Sequence, residues 1–209
     1  MKVIVFGATG SIGRLTVAAL LEHGHSVTAF ARDPAALERT HPALTRVAGD
    51  ATDARAVEAA VPGHDAVIIT LGAGNSRSSR VRSAGTRCIV DAMQHNGVER
   101  LICQSTLGAH ESAGNLNFFW RRIVFGLLLG PVMRDHERQE DLVRDSGLAW
   151  TIVRPSGFQN GPATGDFEED LAPDRRDLAL RINRADIAAF LVRNLQDDRY
   201  LQRAVGISR

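Results

Sequence analysis

The chain is almost without lysine and tyrosine: Lys2 and Tyr200 are the sole examples of each in 209 residues. A Tyr-x-x-x-Lys acid/base pair therefore cannot be built anywhere in it, and neither can a phosphate loop that ends in lysine. Cysteine is nearly as scarce. Cys88 falls in an expected helix and Cys103 in an expected buried strand, which excludes a disulfide framework or metal site and leaves two reduced core thiols. With a formal charge of only +1, neither nucleic acid nor an anionic membrane is expected as a partner. No apolar run is long enough to cross a bilayer, and internal repeats and low-complexity tracts are missing. Met1-Lys2 leads into an apolar strand rather than a cleavable leader, so a cytoplasmic location is expected.

What is present is organised around the N-terminal stretch Val3-Ile4-Val5-Phe6-Gly7-Ala8-Thr9-Gly10-Ser11-Ile12-Gly13. Val3 to Phe6 form a continuous β-prone apolar run, as expected of a parallel strand covered on both faces. Ile12, Leu15, Thr16, Ala19 and Leu20 then recur at helical spacing, with Ser11 as N-cap or first-turn residue. Glycines at 7, 10 and 13 suit a tight turn, close approach of backbone to a pyrophosphate and close packing of helix on strand. The pyrophosphate meets a helix N-terminus, whose N–H groups and dipole favour an anion. Thr9, Ser11 and Ile12 belong to the same cofactor-binding turn.

Strands and helices alternate through the rest of the chain. The expected strands are 26–31, 45–48, 65–70, 100–104 and 149–153, with a closing strand around 204–207. A short helix runs from Pro34 to about Arg39, Thr52 or Asp53 caps the next, and a long one ends at Asn96-Gly97. A polar helix runs from about Met133 to Asp145. With 44% hydrophobic residues, this is one α/β domain over residues 1–209, a doubly wound parallel sheet burying roughly 70% of its unfolded surface. Ligands in such sheets bind at the carboxyl ends of the strands. Here those ends are Gly7 to Gly13, Arg32-Asp33, Gly49 to Ala51, Leu71 to Asn75, Ser105 to His110 and Arg154 to Gly157. The substrate side is expected from residues about 108–135 and 155–182, the latter a small C-terminal region. Within the first, Phe119, Ile123, Val124 and Leu127 share a helical face, which suits packing over the cleft, a substrate wall or lid, or a subunit interface.

Several residues carry candidate chemistry. A guanidinium at Arg32 offers a planar fork to the 2′-phosphate of NADP, whereas Asp33 facing the ribose would favour NAD, the less expected cofactor. Gly72, between Leu71 and Ala73, permits close approach to the ribose or pyrophosphate. Ser105, at the end of the fifth strand, suits a hydrogen bond to nicotinamide or substrate, or merely to local backbone. His136 has the pKa range of a proton donor, or is simply a solvated helix residue. Pro155 is expected beside the cofactor, and Phe118, Phe119, Trp120, Ser156 and Phe158 along the substrate.

The ordered set Gly7-Ala8-Thr9-Gly10-Ser11-Ile12-Gly13, Ala31-Arg32-Asp33, Gly49-Asp50, Asp145-Ser146-Gly147-Leu148 and Thr151-Ile152-Val153-Arg154-Pro155 resembles the atypical short-chain dehydrogenase/reductases. Within them it is most similar to the NAD(P)-binding proteins of the biliverdin reductase B, or flavin reductase-like, group. The resemblance covers nearly the whole chain. It implies an NADPH-binding Rossmann domain, Asp50 and the Ala51 N–H beside the adenine, and a serine after the fifth strand in the active site, matched by Ser105. Glu140 then orients the loop, and Asp186 starts the last helix in a structural role. Gly157 stands where that group carries a histidine, which tells against biliverdin. A reductase passing hydride to a flat conjugated acceptor, a flavin or quinone, is implied. The alternative is an NmrA-like sensor that binds NADP without turnover, and either is a monomer or homodimer.

If Arg32 reads the 2′-phosphate, Arg32→Ala weakens NADPH binding by about 1.5–3 kcal/mol, the scale of hydrogen bonds to charged groups, and leaves NADH nearly unchanged. Calorimetric titration with both nucleotides checks this, and equal losses would sink the assignment.

Overall fold

The computed structural model describes residues 1–74, 76, 79–116 and 129–209. In chain order the elements are β1 (Lys2–Phe6), α1 (Gly13–Glu22), β2 (Ser26–Ala31), β3 (Leu44–Ala48), α2 (Ala54–Ala60), β4 (Ala66–Ile69), α3 (Val81–Asn96) and β5 (Arg100–Gln104). Then follow α4 (Gly130–Arg144), β6 (Ala149–Pro155), β7 (Gly157–Gln159), β8 (Glu168–Glu169), β9 (Arg181–Asn183), α5 (Arg184–Arg193) and β10 (Arg203–Ser208). The main sheet has the order β3-β2-β1-β4-β5-β6-β10-β8. Its first seven strands are parallel, and β8 closes the edge antiparallel to β10. Strand order thus reverses between β1 and β4, as in a doubly wound sheet whose ligand crevice lies at that switch point.

Alternation along β1 divides the core. Val3 and Val5 face α1 and α5, where they pack with Val17, Leu20, Ile187 and Leu191. Ile4 and Phe6 point the other way, into a second cluster with Val57, Ile89, Met93 and Val143 from α2, α3 and α4. A strand buried on both faces has no polar positions to spare, which is why it reads as an unbroken apolar run. Among the described residues no helix is long and apolar enough to cross a membrane.

The structure departs from the sequence expectations in several of its elements. On α1 the buried line is Gly13, Thr16, Val17, Leu20 and Leu21, whereas Leu15 and Ala19 are only half-buried. The close contact of Gly13 with the preceding turn, described below, sets the helix's rotation. Pro34 opens only a 3-10 turn ending at Ala36, not a helix to Arg39. Gly130-Pro131 belongs to the first turn of α4, where proline needs no N–H partner. Strand β6 continues through Pro155, pairing with β10.

The Asp53 carboxylate caps α2 by accepting from the N–H groups of Arg55 at 2.9 Å and Ala56 at 3.3 Å. Asp53→Ala should cost about 1 kcal/mol. In a chain of this size that is a fall of about 2–4 °C in melting temperature, readable by calorimetry.

Candidate functional site

The glycine turn is built by contacts that forbid side chains. Gly7 has φ +83°, and a Cβ there would lie 2.7 Å from the Thr70 carbonyl oxygen. A Cβ on Gly13 would overlap the Gly7 carbonyl and come within 2.9 Å of Thr70 Oγ1. Thr70, at the end of β4, donates its hydroxyl to the Phe6 carbonyl at 3.0 Å and so ties the turn to the neighbouring strand. Gly10 is exposed, its N–H bonded to the Gly7 carbonyl at 2.9 Å. Ile12, rather than Ser11, sits at the N-cap of α1 and no side chain caps the helix, so its dipole and uncapped end suit the pyrophosphate of a dinucleotide. At the rim, Arg14 Nη2 donates to the Thr9 carbonyl at 2.9 Å.

The next three strand ends lie alongside. Arg32 and Asp33 are both exposed after β2. Asp50 follows β3 and accepts from the Thr52 N–H at 2.9 Å and the Thr52 hydroxyl at 2.8 Å. Those two bonds lower its pKa, and the Arg32 charge adds a smaller push in the same direction. Ala51 is buried. After β4, Leu71 and Ala73 are half-buried while Gly72 is exposed, and a Cβ on Gly72 would meet nothing within 4 Å.

Beyond β5 the site becomes polar and buried. Ser105 is fully buried; its N–H donates to the Val153 carbonyl at 2.7 Å, and its Oγ lies 3.4 Å from His136 Nδ1. Helix α4 presents Asp135, His136, Gln139 and Glu140 on its buried side, so the histidine is not solvated as a polar helix suggests. Burial drives the His136 pKa down to about 3, with the Arg82 charge adding to the effect. The ring is therefore neutral at pH 7, suited to accept from or donate to Ser105 but not to act as a charged acid. Asp135 caps α3 from across the interface, accepting from the Ser83 hydroxyl at 2.6 Å and from the N–H groups of Arg82 and Ser83 at 3.2 Å. Gln139 donates to Thr86 Oγ1 at 3.0 Å.

Glu140 forms the centre of a buried ion network. Arg154 on β6 donates to it from Nε at 2.9 Å and from Nη2 at 2.5 Å. Arg154 also reaches Glu111 at 2.9 Å, and Arg144 bridges the same Glu111 at 3.0 Å. Burial raises the Glu111 pKa, but hydrogen bonds led by Arg154 outweigh it and hold it at about 2. His110 turns away onto α4, 3.1 Å from Asp141. Asp186 in α5 accepts from the N–H groups of Thr164 at 2.7 Å and Gly165 at 2.8 Å, fixing the segment after β7.

A cavity of about 210 Å³ opens past Ser105, between the carboxyl ends of β5 and β6. Thr106, Leu107 and Leu116 wall one side, and Ser156, Phe158 and Leu180 the other. Asn115, beside Leu116, donates to the carbonyls of Ala172 at 2.6 Å and Arg175 at 2.9 Å and ties this wall to the segment after β8. Pro155 is buried and its carbonyl accepts from the Leu107 N–H at 2.9 Å. Gly157 is next, and a Cβ there would lie 2.9 Å from the Leu180 carbonyl, so this backbone crowds out the histidine of the resembling group. Phe118, Phe119 and Trp120 lie outside the described residues. Arg82, Asp135, Thr70 and Glu111 were not singled out as site residues by the sequence, and Glu140 was assigned a loop-orienting role without its partner Arg154; buried charges carry no apolar period that would mark them.

The match to an NAD(P)H-binding family runs over residues 7–198, and the chain belongs to that family. It is 30% identical to an uncharacterized chloroplastic protein of Arabidopsis thaliana, covering 79% of this chain but 62%, less than two thirds, of the plant protein. To the uncharacterized sugar epimerase YhfK of Bacillus subtilis it is 28% identical over 100% of this chain and 94% of that one. Among solved structures, the anaerobillin reductase ChuY of Escherichia coli O157:H7 has the same fold, with a TM-score of 0.82, 24% identity and coverage of 100% and 97% of the two chains.

A His136 pKa below its unfolded value means that the unfolded chain takes up a proton first as pH falls below about 6.5. Stability is then lost between that pH and about 3. From pH 7 to pH 5 the wild type should lose about 2 kcal/mol more than His136→Gln in urea unfolding. Equal losses would show that the ring titrates normally.

Proposed function

We propose that the protein is an NADPH-dependent reductase that passes hydride to a flat conjugated acceptor such as a flavin or quinone. The observation that carries this reading is an apolar cavity at the carboxyl ends of β5 and β6, on the same edge of the sheet as the glycine turn. Gly7, Gly10 and Gly13 with the α1 N-terminus would hold the pyrophosphate, Arg32 the 2′-phosphate, and Asp50, Ala51, Leu71, Gly72 and Ala73 the adenosine side. The bound reduced dinucleotide supplies a hydride, and the acceptor takes that hydride together with one proton from water.

What the residues of the cleft contribute is position. Ser105, backed by the neutral His136, orients the nicotinamide or the acceptor through a hydrogen bond. Alcohol oxidation and sugar epimerisation that rely on a tyrosine and lysine find neither here. Lys2 begins β1, about 13 Å from the strand's carboxyl end, and Tyr200 is buried against Phe190 with ring centroids 6.0 Å apart. The reading includes a cytoplasmic setting, supported by two free cysteines, of which burial pushes the Cys103 thiol far above its ordinary range.

With NADPH deuterated at C4 on the transferred face, the label should appear in the reduced acceptor, and Ser105→Ala should lower kcat by about tenfold or more with little change in NADPH affinity. Tight NADPH binding without turnover of any flavin, quinone or tetrapyrrole would favour a sensor of NADP instead.

A further inference from the structure

One wall of the cavity carries a polar group that the protein leaves unsatisfied. Ser156 is 6% exposed, and its Oγ has no hydrogen-bond partner. Its backbone is fixed, since its N–H donates to the Ile207 carbonyl of β10 at 3.1 Å, but rotation about χ1 swings the hydroxyl among three staggered positions. Buried hydroxyls are nearly always bonded, so one without a partner on the wall of a cavity marks where a ligand atom completes the bond.

The remaining walls define that ligand. Leu107, Leu116 and Leu180 are aliphatic, and the Thr106 hydroxyl leans on the Leu107 carbonyl at 3.4 Å. Phe158 offers one ring face, because Arg184 lies over the ring 5.6 Å from its centroid and is itself held by Asn160 Oδ1 at 2.7 Å. Among the described lining residues none is charged, so these walls offer an anionic group no partner for the hydration it would lose. A cavity of about 150 Å³ admits benzene, and pockets for drug-sized ligands run from about 300 Å³. At about 210 Å³ this cavity holds one or two rings.

We propose that the cavity selects a compact, uncharged, carbonyl-bearing aromatic of the one- or two-ring quinone class, and that Ser156 donates to its carbonyl oxygen. This rests on the reading that an acceptor binds here and narrows it against flavins and carboxylated tetrapyrroles. A suitable probe is 2,3-dimethyl-1,4-naphthoquinone, whose blocked ring carbons cannot add the half-buried Cys88 thiol. It is titrated calorimetrically into protein saturated with NADP⁺, where no turnover occurs. Its analogue with an acetate side chain at C3 and the carbonyl-free 2,3-dimethylnaphthalene serve as comparisons.

The neutral quinone should bind at least about tenfold more tightly than the anionic analogue. Ser156→Ala should weaken the quinone about three- to tenfold, the range of a single hydrogen bond, and leave 2,3-dimethylnaphthalene and NADP⁺ affinities and the melting temperature unchanged. Unaltered quinone affinity in Ser156→Ala, a loss falling on NADP⁺ instead, or an anionic analogue that binds as tightly would each overturn the assignment. The reductase reading fails separately. Ser156-dependent quinone binding without NADPH oxidation upholds the ligand class and removes the activity, whereas turnover of a flavin with no quinone binding overturns the ligand class alone.

Discussion

A fully buried ion pair, Arg154 with Glu140, holds helix α4, strand β6 and the loop after β5 together. Arg154 is 2% exposed and Glu140 0%. Two charges so far from water are tolerable only when each is closely paired and hydrogen-bonded, and removing one partner strands the other at a cost of about 3–5 kcal/mol. The pair fixes α4 against β6. Through Glu111 it also anchors the loop after β5, so three segments distant in sequence meet around the cavity in one register. His136 lies one helical turn before Glu140 on the same buried side, and Ser156 two residues after Arg154. Their positions follow from that pairing.

Charge is distributed unevenly around the crevice. At the end with the glycine turn, an uncapped helix terminus and the exposed Arg14 and Arg32, interspersed with the exposed Asp33 and Asp50, offer positive groups that suit phosphates which remain partly hydrated. Around Ser105 the groups are buried: the imidazole is uncharged, with the Arg82 charge acting on it, and the described cavity walls carry no ion. In the proposed reaction hydride carries two electrons and a proton as one anionic unit, and its direct transfer would require an acceptor held in close contact with the dinucleotide. An apolar wall on the same edge of the sheet as the glycine turn suits that requirement.

The glycine turn, the alternation of elements and most strand limits were legible because they follow from short-range rules. Asp53 as a cap and Gly97 as a left-handed helix stop, at φ +67°, are local choices written in single residues. Harder to read was α4. Its Asp135, His136, Gln139 and Glu140 look like a solvated polar face, yet every one is buried. Polar side chains enter an interior when partners from elsewhere satisfy them, and those partners, Ser83, Thr86 and Arg154, lie between 14 and 53 positions away in the chain. No periodicity records such pairings.

By itself, then, the sequence determined the doubly wound sheet and the glycine turn, because β-prone apolar runs, helical spacing and glycines that exclude a Cβ act within a few residues. Its lack of a second lysine or tyrosine also settled which acid/base pair is impossible. Only the tertiary structure decided that His136 is buried and neutral, that Gly157 is hemmed by the Leu180 carbonyl, and that Ser156 is left without a partner beside a cavity. Each of those is a statement about what lies on the other side of a side chain, and that neighbour is chosen by packing between strands and helices, not by the residues adjacent in the chain.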